Sequence, residues 1–261
     1  MLLAVGWTVT SALATPPTPA IDSAVINLRI WNDDPTSVVT TTNLYPGTIS
    51  IQDVHSGGGG WTNLHNFRLS ENGGISEAVF NNDDSFAFFS DVKIEGNTAC
   101  EGGLNLAPWW DKNFGGLFML NSGSGEIACF GGRLPFYSFT ANHGVTYATG
   151  ETVRQGIVYK PHGLSEASPA TVQYWLVKGG TWYTSGPLAF DMGNPGEDPP
   201  YGLWGNLNDG RLGGYFMAKT GNPAPPGNWQ KITFSDMTFV PEPAALALLG
   251  LVSAFALRRG R

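Results

Sequence analysis

Residues 171–185 read Thr171-Val172-Gln173-Tyr174-Trp175-Leu176-Val177-Lys178, then Gly179-Gly180, then Thr181-Trp182-Tyr183-Thr184-Ser185. Strand side chains alternate between faces, so Val172, Tyr174 and Leu176 share one side and are set to be buried. Two glycines between the halves can both take positive φ, which a two-residue hairpin turn demands, and Thr181 to Ser185 then returns antiparallel. Working outward, the same chemistry recurs: Ala24 to Trp31, Thr48 to Val54, Asn66 to Leu69, Ser76 to Phe80, Phe86 to Ile94, Gly116 to Asn121, Glu126 to Phe130 and Pro135 to Thr140. Thr152 to Lys160, Gly213 to Ala218 and Gln230 to Phe239 complete the series. All are rich in β-branched and aromatic residues and are separated by Asn, Asp, Gly and Pro clusters, which is the all-β pattern. No convincing amphipathic helix occurs between Thr15 and Val240.

More than ten short strands exceed an immunoglobulin sandwich and suit a larger two-sheet antiparallel jelly roll. No Pro/Ser/Gly spacer divides residues 15–239, so one β-sandwich domain is expected there. The 35 glycines and 9 tryptophans, beside only 13% charged residues, describe a turn-rich extracellular β-protein. A formal charge of -7 excludes a basic groove and argues against nucleic acid as a partner.

Both ends of the chain read as addresses. Met1 to Ala14 is apolar and closes on Ala12-Leu13-Ala14, a small-x-small cleavage pattern before a proline-rich junction, so residues 1–14 are read as a signal peptide. It lacks a basic n-region, which suggests that translation starts further upstream. At the other end, Pro241-Glu242-Pro243 precedes the uncharged, mostly apolar run Ala244 to Leu257 and then Arg258, Arg259 and Arg261. Arginines behind an apolar helix hold it with the basic end cytoplasmic. Residues 244–257 rise only about 21 Å as a helix against a hydrocarbon core of roughly 30 Å, which suits a temporary transmembrane anchor.

That order of parts resembles the PEP-CTERM sorting signal of Gram-negative bacteria, recognised by a membrane-embedded exosortase. The resemblance implies an exported protein with exosortase as partner and transient membrane contact. It also implies an inner-membrane intermediate, then the cell surface or the extracellular matrix, with extracellular polysaccharide as a possible partner. Residues 240–261 are the signal and the rest is its passenger. For the passenger, strand number, Gly102-Leu104-Asn105-Leu106 followed by Gly116-Leu117-Phe118-Met119, and a closing strand from Trp229 to Phe239 resemble the concanavalin A-like lectin/glucanase group.

Glucanases of that group place carboxylates as ExDxxE or ExDxE on one strand, aimed into one cleft. This chain has no such spacing: Glu126 stands without a carboxylate at i+2 or i+4, and Glu197 and Asp198 are adjacent. Glycoside hydrolysis around Glu126, Glu197 and Asp198 is therefore the least favoured reading, and the passenger is expected to be non-enzymatic. His55, His65, His143 and His162 show no ligand spacing and read as turn residues. Calcium is the one inorganic possibility, through Asp33 and Asp34 or Asp83 and Asp84, but Asn/Asp clusters are equally turn chemistry, and no cofactor is expected. Cys100 and Cys129 give an even count in an oxidising compartment, which favours a bridge over two buried thiols. The alternative function is a carbohydrate-binding module that uses Trp109, Trp110, Asp111, Tyr201 and Trp204, aromatic faces beside polar groups being a common way to hold sugars.

Overall fold

A computed structural model describes residues 18–31, 34–55, 60–108, 111–113, 115–132, 134–165, 167–189, 207, 209–220 and 227–241. Strands β1 (Ser23–Trp31), β2 (Val38–Leu44), β3 (Thr48–His55), β4 (Gly60–Glu71), β5 (Ser76–Glu77), β6 (Phe86–Gly96) and β7 (Glu101–Ala107) form the first half. Strands β8 (Leu117–Asn121), β9 (Ile127–Phe130) and β10 (Tyr137–Ser138) lead into the short helix α1 (Phe139–His143). Then follow β11 (Thr152–Lys160), β12 (Thr171–Lys178), β13 (Thr181–Ala189), β14 (Arg211–Thr220) and β15 (Asn228–Pro241). They make two antiparallel sheets: an eight-stranded one ordered β1-β4-β14-β7-β8-β9-β10, with β5 beside β4, and a seven-stranded one ordered β13-β12-β11-β6-β15-β3-β2. This is the expected jelly-roll sandwich.

The hairpin that opened the sequence reading is present as read. Lys178 pairs with Thr181 across Gly179 (φ 58) and Gly180 (φ 80), and Val172, Tyr174 and Leu176 are buried in the core. From the facing sheet come Phe67, Leu69, Leu104, Leu106, Phe118 and Phe216, so the two inner faces interdigitate as one apolar layer. Phe67 meets Phe234 edge-on at 4.8 Å and Phe118 meets Tyr174 edge-on at 5.4 Å, both across the sandwich. One polar strut crosses it as well: the fully buried Gln155 of β11 accepts from Leu104 N at 2.9 Å and donates to Phe118 O at 3.0 Å. It satisfies backbone groups between β7 and β8 that would otherwise be stranded in the core.

Towards one end the inward-facing positions of β3 and β4 turn polar. Asp53, His55, Asn63 and His65 are all buried. Asp53 Oδ2 accepts from Asn63 Nδ2 at 2.7 Å and lies 3.1 Å from His65 Nε2. Because His65 Nδ1 accepts from Arg29 N at 3.1 Å, Nε2 carries the proton and donates to Asp53. Asn63 also ties down the turn between β1 and β2, donating to Ser37 Oγ (2.6 Å) and accepting from Asp34 N (2.6 Å). The reading of His55 and His65 as turn residues is thereby corrected: they are strand residues, buried where a carboxylate partner makes burial tolerable.

The bridge between Cys100 and Cys129 is also corrected, since both thiols are free and buried. Cys100 leads into β7 and Cys129 lies in β9, with β8 between them. Two strand spacings are about 9.6 Å, beyond the roughly 7 Å that a disulfide spans. Helix α1 replaces the end of the strand expected over Pro135 to Thr140; Ser138 caps it, its Oγ accepting from Ala141 N at 3.1 Å. No helix among the described residues is long and apolar enough to cross a membrane. The signal peptide and the helix expected over Ala244 to Leu257 lie outside the described residues.

Burial alone would raise the Asp53 carboxyl, but the hydrogen bonds from His65 and Asn63 outweigh it and hold the group below the usual carboxylate range. A depressed folded value gives stability that is present above the unfolded value and lost as pH falls through the folded one. The denaturant midpoint is therefore expected to drop below about pH 4, the unfolded aspartate value. Asp53→Asn should start lower and fall less over that range, as followed by urea titration from neutral pH downward.

Candidate functional site

On the outer face of the eight-stranded sheet, Arg68 of β4 and Asn105 of β7 are register partners of the same residue, Gly213 of β14. Both are buried, Arg68 at 1% exposure and Asn105 at 0%. The Arg68 guanidinium donates to Asn105 Oδ1, to Lys112 O at 2.5 Å and to Asn113 O at 3.1 Å. Gly213 between them approaches β4 closely: a Cβ there would stand 2.0 Å from Phe67 O. Asn105 Nδ2 in turn donates to Gly115 O (2.5 Å) and Gly116 O (3.1 Å), and Asn66 Nδ2 donates to Asn113 O (3.1 Å). Three side chains of two strands thus clamp four carbonyls of the segment following Pro108.

Two segments are joined at this rim. Lys112 Nζ pairs with Asp209 Oδ2, and Asp209 Oδ1 accepts from Arg211 Nη1 at 2.8 Å. Arg211 Nε reaches Glu77 Oε2 at 3.0 Å, and Glu77 Oε1 accepts from Asn27 Nδ2 at 2.7 Å. The hydrogen bonds from Lys112 and Arg211 hold the Asp209 carboxyl below its ordinary range. Burial draws the Arg68 guanidinium down to about 10, which leaves it charged at neutral pH. Two residues along β14 from Gly213, on the same face, Tyr215 is buried beside Leu64, Met119 and Ala128, and its hydroxyl has no hydrogen-bond partner among the described residues. Burial, with Glu101 close by, pushes it well above the usual phenol value, so it stays protonated.

Of the residues expected to bind a ligand, Asp111 lies within the clamped segment, close enough to Arg68 to act on its charge. Trp109, Trp110, Tyr201 and Trp204 lie outside the described residues; their chain neighbours Asp111-Lys112 and Asp209 are the ones joined by the salt bridge. Among the calcium candidates, Asp34 Oδ1 accepts from Thr36 N (3.0 Å) and Thr36 Oγ1 (2.6 Å), and Asp84 Oδ2 accepts from Asn81 N (2.5 Å). Both are engaged in turns. Asp33 lies outside the described residues, and among the described ones no group of three or more His, Cys, Asp or Glu could hold a metal ion. Glu197 and Asp198 also lie outside. Sequence reasoning missed Arg68 and Asn105. The signal was Asn66-Phe67-Arg68-Leu69-Ser70, which alternates polar and apolar and sets an arginine on the outer face of a sparsely charged chain.

Pro241 is the last residue of β15 and pairs with Phe86; Glu242, Pro243, Arg258, Arg259 and Arg261 lie beyond the described residues. Residues 239–261 match the family described as the PEP-CTERM protein-sorting motif. This segment is an exosortase sorting signal. It marks an exported protein that undergoes membrane-associated sorting. No curated protein matches the chain. Among solved structures it is similar to the alginate lyase from Corynebacterium sp., at 10% identity and TM-score 0.45, over 84% of this chain and 94% of that one. It is also similar to an alginate lyase from Aplysia kurodai (13%, TM-score 0.40, 82% and 90%) and to arcelin-5, a lectin-like defence protein from Phaseolus vulgaris (11%, TM-score 0.38, 85% and 99%). The passenger itself is a two-sheet antiparallel jelly-roll sandwich. Because these similar structures are chiefly alginate lyases, the expectation of a passenger without enzymatic activity is corrected and withdrawn.

Replacing Arg68 by Met keeps most of the stem volume and removes the guanidinium donors to Lys112 O and Asn113 O, leaving Asn113 O only the amide of Asn66. Amide exchange at Gly115, whose N–H bonds Asp111 O at 3.0 Å, is expected to rise about tenfold or more, while β11 amides stay protected. Equal acceleration in both places would mean that Arg68 supports the sandwich as a whole and not the rim.

Proposed function

We propose that the passenger is a carbohydrate-binding domain, displayed at the cell surface or in the extracellular matrix of a Gram-negative bacterium after exosortase processing. The observation that carries this reading is the Lys112–Asp209 bridge. It joins the segment that continues from Trp109 and Trp110 to the one that continues from Tyr201 and Trp204. Sugars are held by stacking on aromatic faces and by directional hydrogen bonds from amides and charged groups. The rim supplies the second requirement, and the clamped carbonyls remove the cost of ordering the Asp111 to Gly116 segment when ligand arrives.

One observation favours a second reading, in which the bound glycan is also cleaved. A protonated tyrosine hydroxyl without a partner among the described residues, close to Glu101 and on the same sheet face as Arg68, is a proton donor held out of water. Release of new chain ends from a bound glycan, lost in Tyr215→Phe with binding retained, would support turnover.

Glycan-array binding by the full chain tests the first reading. Trp109→Ala and Trp204→Ala are expected to abolish the signal. Lys112→Ala should weaken it several-fold while changing stability by less than about 1 kcal/mol, since the pair is exposed. An array with no signal above background would overturn the proposal. For the sorting step, replacing Pro241, Glu242 and Pro243 by alanines is expected to make uncleaved precursor accumulate in the membrane fraction, as read by immunoblot against the passenger.

A further inference from the structure

The outer face of the seven-stranded sheet carries a groove of about 400 Å³ at one end of β11, β12 and β13. Its floor is two registered rows: Lys160, Thr171 and Ala189 in one, Val158, Gln173 and Pro187 in the other. The pairing between β12 and β13 shifts register between Gln173 and Trp175, at the bulge that contains Gly186 (φ 68). A bulge bends and twists its strand, and β13 is the sheet edge, where Pro187 needs no N–H for a ladder. The local sequence therefore turns the edge of an otherwise regular sheet into a trough.

Its chemistry is directional. Lys160 has no acidic partner among the described residues, whereas Lys93, Lys112, Arg154, Lys178 and Arg211 each pair with a carboxylate. His162 Nε2 lies 3.0 Å from Thr171 Oγ1 at the same end. Gln173, which lines the trough, donates from Nε2 to Thr184 Oγ1 at 2.9 Å and keeps its amide oxygen as an acceptor. Further along β12, on the same face, Trp175 packs against the apolar cluster of Ala87, Phe89 and Val158 and meets the exposed Trp182 edge-on at 6.1 Å. Trp175 is four residues from Thr171, roughly 13 Å along the strand, a span that suits an oligosaccharide better than a single sugar.

We propose that this groove binds a carboxylate-bearing polysaccharide, with Lys160 on the uronate carboxylate, Thr171, His162 and Gln173 on ring hydroxyls, and the Trp175–Trp182 pair as the stacking shelf. The inference extends the carbohydrate reading but rests on different residues, on the face opposite the Arg68 rim. A free amine in a chain of net charge -7 attracts an anionic ligand only locally, so binding is confined to this trough.

Calorimetric titration of the full chain with an oligogalacturonate, and with a neutral cello-oligosaccharide of equal length, tests it. Oligogalacturonate binding is expected to weaken with salt and to fall about tenfold or more in Lys160→Gln, the loss of one charge-assisted hydrogen bond. Lys160→Arg should retain it, and Lys93→Gln, at a lysine outside the groove that pairs with Glu95, should leave it unchanged. Binding that ignores Lys160→Gln, or that falls as far in Lys93→Gln, would overturn the groove. Oligogalacturonate binding that depends on Lys160 but not on Trp109 or Trp204 would uphold the groove even if the opposite rim bound nothing.

Discussion

A guanidinium that cannot reach water dictates much of what lies around it. Burial weakens the hold of Arg68 on its proton, yet the group remains charged, and an unpaired charge in such a place costs several kcal/mol. The carbonyls of Lys112 and Asn113 and the amide of Asn105 accept its hydrogen bonds, and Glu77 and Asp111 act on its charge. Acceptors fixed to a backbone restrict it, so the carbonyls of Lys112 and Asn113 cannot turn away without stranding the charge. Gly213, set between Arg68 and Asn105 on the middle strand, is part of the same solution, because β4 and β14 approach there too closely for a Cβ.

The two faces of the sandwich use this economy differently. Inside, the sheets are joined by aromatic contacts and by one polar strut, Gln155, whose amide replaces ladder bonds between β7 and β8. Outside, the eight-stranded sheet carries a small apolar cluster of Leu64, Met119, Ala128 and Tyr215 beside the polar rim, and the seven-stranded sheet carries Ala87, Phe89 and Val158 beside the trough. Each outer face thus sets an apolar floor next to groups that donate and accept. A sandwich can support this only if its inner layer is complete without those residues, and here it is: the large core cluster draws on strands of both sheets and needs neither outer patch.

Most of the strands were legible because alternation and turn chemistry agreed, as they do between Thr171 and Ser185. Two were not. Strand β7 contains Gly102 and Gly103 and lacks the branched residues that announce a strand, because Ile232 and the neighbouring backbone occupy the space their side chains would need. Strand β2 is rich in Val and Thr but lies at an exposed sheet edge, with no buried face to produce a pattern. The candidate site was legible only as types: Asp111 lies in the clamped segment, whereas Arg68 and Asn105 lie far from it in sequence and become a clamp only when β4 and β7 flank β14. His55, His65 and the cysteines were misread for one reason. Their roles depend on which strands are neighbours, and spacing along the chain does not encode that.

Strand order also fixes where passenger and signal can part. Strand β15 stays in the ladder with β6 through Pro241, the first residue of the Pro-Glu-Pro triplet. Two residues earlier, Phe239 packs between Phe80 and Phe86 at 5.9 and 6.1 Å. Fully burying such a side chain contributes about 1.5–3 kcal/mol, and the half-buried Phe239 supplies part of that, still a noticeable share of a domain's net stability. A cut before Phe239 would remove that contact and expose the edge of β6, leaving a product less stable than its precursor. A cut after Pro241 leaves the whole ladder with the passenger. The triplet therefore begins where the ladder ends, and a cut at any bond after Pro241 leaves β15 whole with the passenger.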